Sequence, residues 1–266
     1  MQLLQTKPIK WLLLVLAWLF IGIVLVLPVG LVLVQAFASG WHTYLTTISS
    51  LITLQAINLT VTATLISIVF NLVFGVSAAW LIAFYDFPGK RLLNALIDLP
   101  FSVSPVIAGL IFILTFGRGG WLAPLFSAIH VQIVFAPPAI FLTTVFVTFP
   151  FVAREVIPVL EAKGREEEQT AALLGASFSQ ILWQITFPAI KAPVAGGLVL
   201  ATARALGEFG AVAVVSGNIQ GKTLTLSLLV QNLYNDFKFN EAFAVATILL
   251  GSTILVVLLK QRLLKN

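Results

Sequence analysis

Between Lys10 and Asp86 the chain carries no Asp, Glu, Lys or Arg. A soluble fold does not sustain so long an uncharged stretch, because its outer helices and strands turn a polar face to water and roughly a quarter of its residues are charged. Here 9% of the 266 residues are charged and 59% are hydrophobic. The medium around this chain is therefore lipid. The same apolar content excludes a disordered segment, and no Gly-X-Y or heptad repeat marks a fibre. With no Cys there is no disulfide, thiolate metal site or thiol nucleophile.

A helix crosses the roughly 30 Å hydrocarbon layer in about 20 residues. Apolar runs of that size, bounded by charge, Pro or Gly, occur at residues 11–37, 57–84, 99–116, 133–153, 192–216 and 242–259. They are continuous rather than alternating, so the expected class is all-α and not a barrel. The chain reads as one polytopic membrane domain, residues 1–266, with about six transmembrane helices. The first run follows Lys7 and Lys10 and ends near Ala36-Phe37-Ala38, which imitates a cleavage site. It is longer than the h-region of a signal peptide, so an uncleaved span is expected.

Lys and Arg accumulate on the cytoplasmic side of such a protein. With the N-terminus inside, eleven of them lie in inner segments, among them Lys7, Lys10, Lys90, Arg91, Lys260, Arg262 and Lys265. The outer loops hold Arg118, Lys222 and Lys238. The net charge of +5 is thus a topology signal with both termini cytoplasmic, and no nucleic-acid partner is expected.

One large polar segment stands out, an expected cytoplasmic loop at residues 154–191 that holds nine charges. Glu166, Glu167 and Glu168 open a short helix at its positive end, and Gly175 stops it. Ser177 and Gln180 have capping-box spacing ahead of Phe178, Ile181, Leu182 and Ile185, which recur on one helical face, and Pro188 is expected to close this second helix. The apolar stripe either packs on the protein's own inner ends or receives a partner.

Gly175, nine intervening residues and Ile185-Thr186-Phe187-Pro188 resemble the signature loop of ABC-importer permeases: Glu-Ala-Ala, three residues, Gly, nine residues, Ile-x-Leu-Pro. Gln169 and Thr170 stand where the family has Glu and the first Ala, Ala171 matches the second, and Phe187 replaces Leu. Residues 203–211, Ala-Arg-Ala-Leu-Gly-Glu-Phe-Gly-Ala, are similar to a fifth-span signature shared by sulfate and molybdate permeases. Residues 98–109 and 149–155 resemble the sulfate/thiosulfate type, closest to its CysW-type subunit. The resemblance implies a type I importer fold in a bacterial or plastid-type plasma or inner membrane. It implies ATPase coupling through Gln169, Ala171, Gly175, Ser177, Ile181, Ile185 and Pro188. It also implies a second homologous permease subunit, two ABC ATPase subunits that carry the ATP and Mg, and an extracytoplasmic sulfate-binding protein. The chain itself is expected to bind no cofactor and to catalyse nothing. Molybdate or tungstate transport is the alternative.

Several polar residues fall inside the spans. Arg204 and Glu208 lie four apart, on one face of the fifth helix and near its middle, and must face protein or water. Either they fix helix packing and a gate or they contact the anion. Ala203, Gly207 and Ala211 would form a small-residue stripe beside them. Thr60, Thr64, Ser67 and Asn71 form a neutral polar stripe on the second run, suited to interhelical hydrogen bonds or to a pathway. Pro100 and Pro105 interrupt the third run around Ser102 and Ser104, a place for pore-lining irregular backbone or for a simple kink.

Other chemistry finds little support. Gly217 to Thr223 imitates a phosphate loop with one residue too few between its glycines. His42 and His130, expected in outer loops, have no metal-ligand spacing. No nucleophile–base pair falls within the spans.

Overall fold

The computed structural model describes residues 7–263, which form helices and short connections with no strand among them. Lys265 lies outside the described residues. Five helices are long and apolar enough to cross a membrane: α1 (Ile9–Phe37), α3 (Leu51–Phe84), α7 (Pro137–Lys163), α9 (Phe178–Leu206) and α12 (Phe239–Leu263). A sixth span results if α4 (Lys90–Ser102) and α5 (Pro105–Phe116) count together, although they bend by 116° at their junction. Shorter helices complete the order: α2 (Trp41–Ile48), α6 (Ala123–Ala128), α8 (Glu166–Leu173), α10 (Gly210–Ser216) and α11 (Leu226–Asn235). His42 therefore sits in a helix, not in a loop.

A wide turn accommodates two of the prolines, whereas Pro100, Pro150, Pro158 and Pro193 lie within regular helix. A proline ring collides with the carbonyl four residues back unless that carbonyl moves aside. Wide π-turns at Gly22–Val26 and Leu182–Thr186 contain the carbonyls of Val24 and Gln184, four residues before Pro28 and Pro188. Hence Pro188 does not close a helix as expected, and α9 continues past it to Leu206. At Pro105 the outcome is opposite. Val103 and Ser104 adopt ψ of 132° and 135°, the extended geometry favoured before proline, and Pro105 opens α5. The third run therefore divides at Val103–Ser104, and Pro100 stays inside α4.

The fifth run is also divided. Its helix starts at Phe178, ends at Leu206, and resumes as α10 at Gly210. Ala203, Gly207 and Ala211 are thus not a stripe on one helix. Close helix approach occurs elsewhere. A Cβ on Gly197 of α9 would sit 2.7 Å from Val152 Cα and 2.9 Å from the Phe151 carbonyl of α7. One on Gly109 of α5 would sit 2.8 Å from the Ala211 carbonyl of α10.

Helix α7 is central, packing against α3, α4, α9 and α10. Two cores flank it, one around Ile97, Val156, Leu160 and Val194 and another around Ile140, Val212, Leu228 and Val245. The polar stripe of α3 joins these helices and is buried. Ser67 and Asn71 bond to Thr148 of α7 at 3.0 and 2.7 Å, while Thr60 accepts the Leu226 amide at 3.0 Å, all buried. Only the second half of α1 packs on the bundle, along α12, with Ala36 buried. Its other side chains present an apolar surface suited to lipid.

Because α7 and α9 meet backbone to backbone at Gly197, Gly197→Val should cost about 1–3 kcal/mol of stability. A Cβ on Gly251 of α12 meets nothing within 4 Å, so Gly251→Ala should leave stability unchanged. Thermal unfolding of the detergent-purified variants checks both, and equal transitions would refute the packing argument.

Candidate functional site

The expected loop at 154–191 is mostly helix. Residues 154–163 extend α7, residues 178–191 begin α9, and only α8 with its two turns stands between. Gly164 and Gly175 make those turns with φ of +70° and +88°, in the left-handed region that disfavours other residues. Three glutamates occupy the first turn of α8, and Ser177 and Gln180 form a reciprocal capping box at the start of α9.

This knob is tied to the bundle by charge and aromatic contacts. The Lys163 ammonium pairs with Glu167 at 2.9 Å and donates to the Ile185 carbonyl at 3.1 Å. Arg165 lies over the rings of Phe84 and Tyr85 at the end of α3, 5.4 and 5.0 Å from their centroids. The Thr186 hydroxyl donates to the buried Glu168 carboxylate at 2.5 Å.

Outward, the knob carries an apolar patch beside the exposed Glu166, Glu167 and Gln180. Leu173 and Leu174 are 88% and 84% exposed, and Phe178 and Trp183 also face out. By contrast Ile181, Leu182 and Ile185 are half-buried against the protein itself. Gln169 and Ala171 stand on α8, Gly175 in the turn, Ser177 at the cap, Ile181 on the first turn of α9, Ile185 in the π-turn and Pro188 beyond it. The exposed leucines were legible only as an apolar pair ahead of a stop glycine. A cluster of exposed large apolar side chains rimmed by Gln169 and Thr170 has the character of a protein-binding surface.

A second feature forms where the two broken spans meet. A Cβ on Gly210 would sit 2.9 Å from Pro105 Cβ, so the break at Gly207–Phe209 abuts the break at Val103–Ser104. Ser102 ends α4, Ser104 precedes α5, and both are exposed. Arg204 lies in the last turn of α9, whereas Glu208 lies beyond the helix end. They are not neighbours on one helix. Each instead complements a helix end, a cation at the C-terminus of α9 and an anion at the start of α10, where Glu208 Oε1 accepts the Ala211 amide at 2.9 Å.

Arg204 Nη1 approaches Glu208 Oε2 to 2.6 Å without an N–H aligned on that oxygen, which has no hydrogen bond. The carboxylate is 1% exposed and the Arg204 side chain 32%. The guanidinium thus keeps open N–H donors on its exposed side, and its charge is already balanced by a buried partner.

A third ionic contact escaped the sequence reading. Arg154 of α7 grips Asp98 of α4 with two parallel bonds, Nε to Oδ1 at 2.6 Å and Nη2 to Oδ2 at 2.5 Å, and Nη2 also donates to the Asn94 carbonyl. Asp98 borders the third apolar run, and both residues fall in segments that carry the sulfate/thiosulfate resemblance, but no spacing along the chain pairs them. The fork fixes the angle of α4 against α7.

Comparison with known proteins follows this geometry. Residues 71–265 match the family described as binding-protein-dependent transport system inner membrane component. The chain is 46% identical to the sulfate transport system permease protein CysW of Synechococcus elongatus, covering 91% of this chain and 85% of that one. It is 42% identical to the CysW protein of Escherichia coli, over 96% and 87% of the two chains. Its fold is that of a chain in the crystal structure of a bacterial alginate ABC transporter in complex with an alginate pentasaccharide-bound periplasmic protein. The TM-score is 0.81 at 17% identity, with 100% and 98% coverage. Family profile, relatives and fold agree: this chain belongs to the inner membrane components of binding-protein-dependent transport systems.

Proposed function

We propose that this chain is a permease subunit of an ATP-driven importer and carries sulfate or thiosulfate across the inner membrane. The exposed apolar knob around Leu173 and Leu174 supports this most strongly, because water alone gives such a surface no reason to persist. A separate ABC ATPase docks there and supplies the hydrolysis of ATP with Mg. A second, homologous permease completes the passage, and an extracytoplasmic binding protein delivers the anion. Lys90, Arg91, Lys163, Arg165 and Lys191 lie at the knob end of the helices, as the positive-inside rule requires for a cytoplasmic knob and cytoplasmic termini.

Transport follows from two arrangements of packed helices that alternate as the ATPase opens and closes. The passage needs donors that replace part of an oxyanion's water shell without holding it. Arg204, already balanced by Glu208, offers that at the meeting of the two breaks, together with the hydroxyls of Ser102 and Ser104. Sulfate is favoured over molybdate or tungstate because both CysW relatives are sulfate permeases.

Two outcomes are expected. Leu173→Asp with Leu174→Asp should leave the permease inserted and stable, since both side chains are exposed, but lower ATPase copurification roughly tenfold or more, as loss of an interface hot spot does. Undiminished copurification would remove the docking assignment. Cells lacking this chain should lose uptake of labelled sulfate and keep uptake of molybdate, and the reverse pattern would reject the substrate.

A further inference from the structure

The docking surface leaves one buried group without a role, the Glu168 carboxylate. Burying a carboxylate is expensive unless it is engaged. Glu168 is 6% exposed, and its partner, the hydroxyl of Thr186, is itself buried. Thr186 is the last residue of the π-turn Leu182–Thr186. The residue before it, Ile185, gives its carbonyl to the Lys163 ammonium, which is also paired with Glu167. Two consecutive residues of the wide turn are thus held by charged side chains, one from the end of α7 and one from α8.

The opposite requirement for movement, free space, is also met. A cavity of about 170 Å³ borders the turn, lined in part by Trp80, Arg165, Glu168, Phe178, Leu182 and Thr186. Pro188 has no amide and keeps the carbonyl of Gln184 displaced, so the turn does not close into regular α-helix. Beyond it, residues 187–206 form one helix, with Pro193 inside it, that packs on α7 at Gly197 and ends with Arg204 in its last turn.

We propose that the Leu182–Thr186 turn is the joint through which displacement of α8 enters the membrane-spanning part of α9, and that Glu168 and Lys163 are the positioning residues that grip it. This rests on the reading that an ATPase docks on α8. A push on α8 moves the Glu168 carboxylate, which pulls Thr186. The turn repacks into the cavity, and the helix beyond carries the motion to the break between Arg204 and Glu208.

The test uses the complete transporter in proteoliposomes and reads sulfate moved per ATP hydrolysed. Thr186→Val keeps the side-chain shape and removes the donor. It should retain the ATPase and its hydrolysis within about twofold while lowering sulfate per ATP roughly tenfold, the scale of one lost hydrogen bond to a charged group. Thr186→Ser should restore the ratio. Combining Glu168→Ala with Thr186→Val should be no worse than the stronger single variant, as a shared interaction requires. If Thr186→Val does not assemble, Glu168→Gln, which keeps an acceptor, is compared with Glu168→Ala; the ratio should survive in the first alone. An unchanged ratio in Thr186→Val, losses that add in the double variant, or equal ratios in the two Glu168 variants overturn the joint. Failure of the unmodified chain to retain any ATPase overturns the docking reading and the joint with it.

Discussion

An unpaired amide or carbonyl in hydrocarbon costs several kcal/mol. That penalty decides where this chain can be irregular. Its two broken spans lie against each other, the start of α5 beside the start of α10, and the Leu226 amide at the start of α11 finds the Thr60 hydroxyl. The two interrupted spans share one location. Placing the breaks together gathers irregular backbone, the exposed Ser102 and Ser104 and the Arg204–Glu208 pair in one place, where the proposed passage would meet the anion.

The same constraint bears on the proposed motion. Helices α7 and α9 meet backbone to backbone at Gly197. The hydrogen-bond ladder is altered at the π-turns, at the breaks and at the prolines inside helices, Pro150 and Pro158 of α7 and Pro193 of α9, and these are the places where bending costs least. The knob holds Gln169 and Ala171 on one short helix between Gly164 and Gly175, both at positive φ, so the place of α8 depends on few backbone angles.

Hydropathy made the spans legible, because burial in lipid is averaged over about 20 residues. Local side-chain rules also worked: the Ser177–Gln180 capping box, the glutamates at the head of α8 and the stop at Gly175 form as their spacing predicts. Averages are blind to backbone breaks, however. The interruption after Leu206 has no proline to announce it, so Arg204 and Glu208 read as one helical face, while Pro188 reads as a terminator although a π-turn absorbs it. Pairing between distant segments left almost no trace. Asp98 with Arg154 and Glu168 with Thr186 depend on tertiary approach, which spacing along the chain does not encode.

Force from an ATPase entering through the inner knob is the central claim. The chain has no cysteine, so a single Leu174→Cys provides one attachment point for a photoactivated crosslinker in native membranes. The account predicts that this position captures a nucleotide-hydrolysing subunit and stays unlabelled by a membrane-impermeant thiol reagent added to intact cells. Labelling from outside, with no such subunit captured, would contradict it.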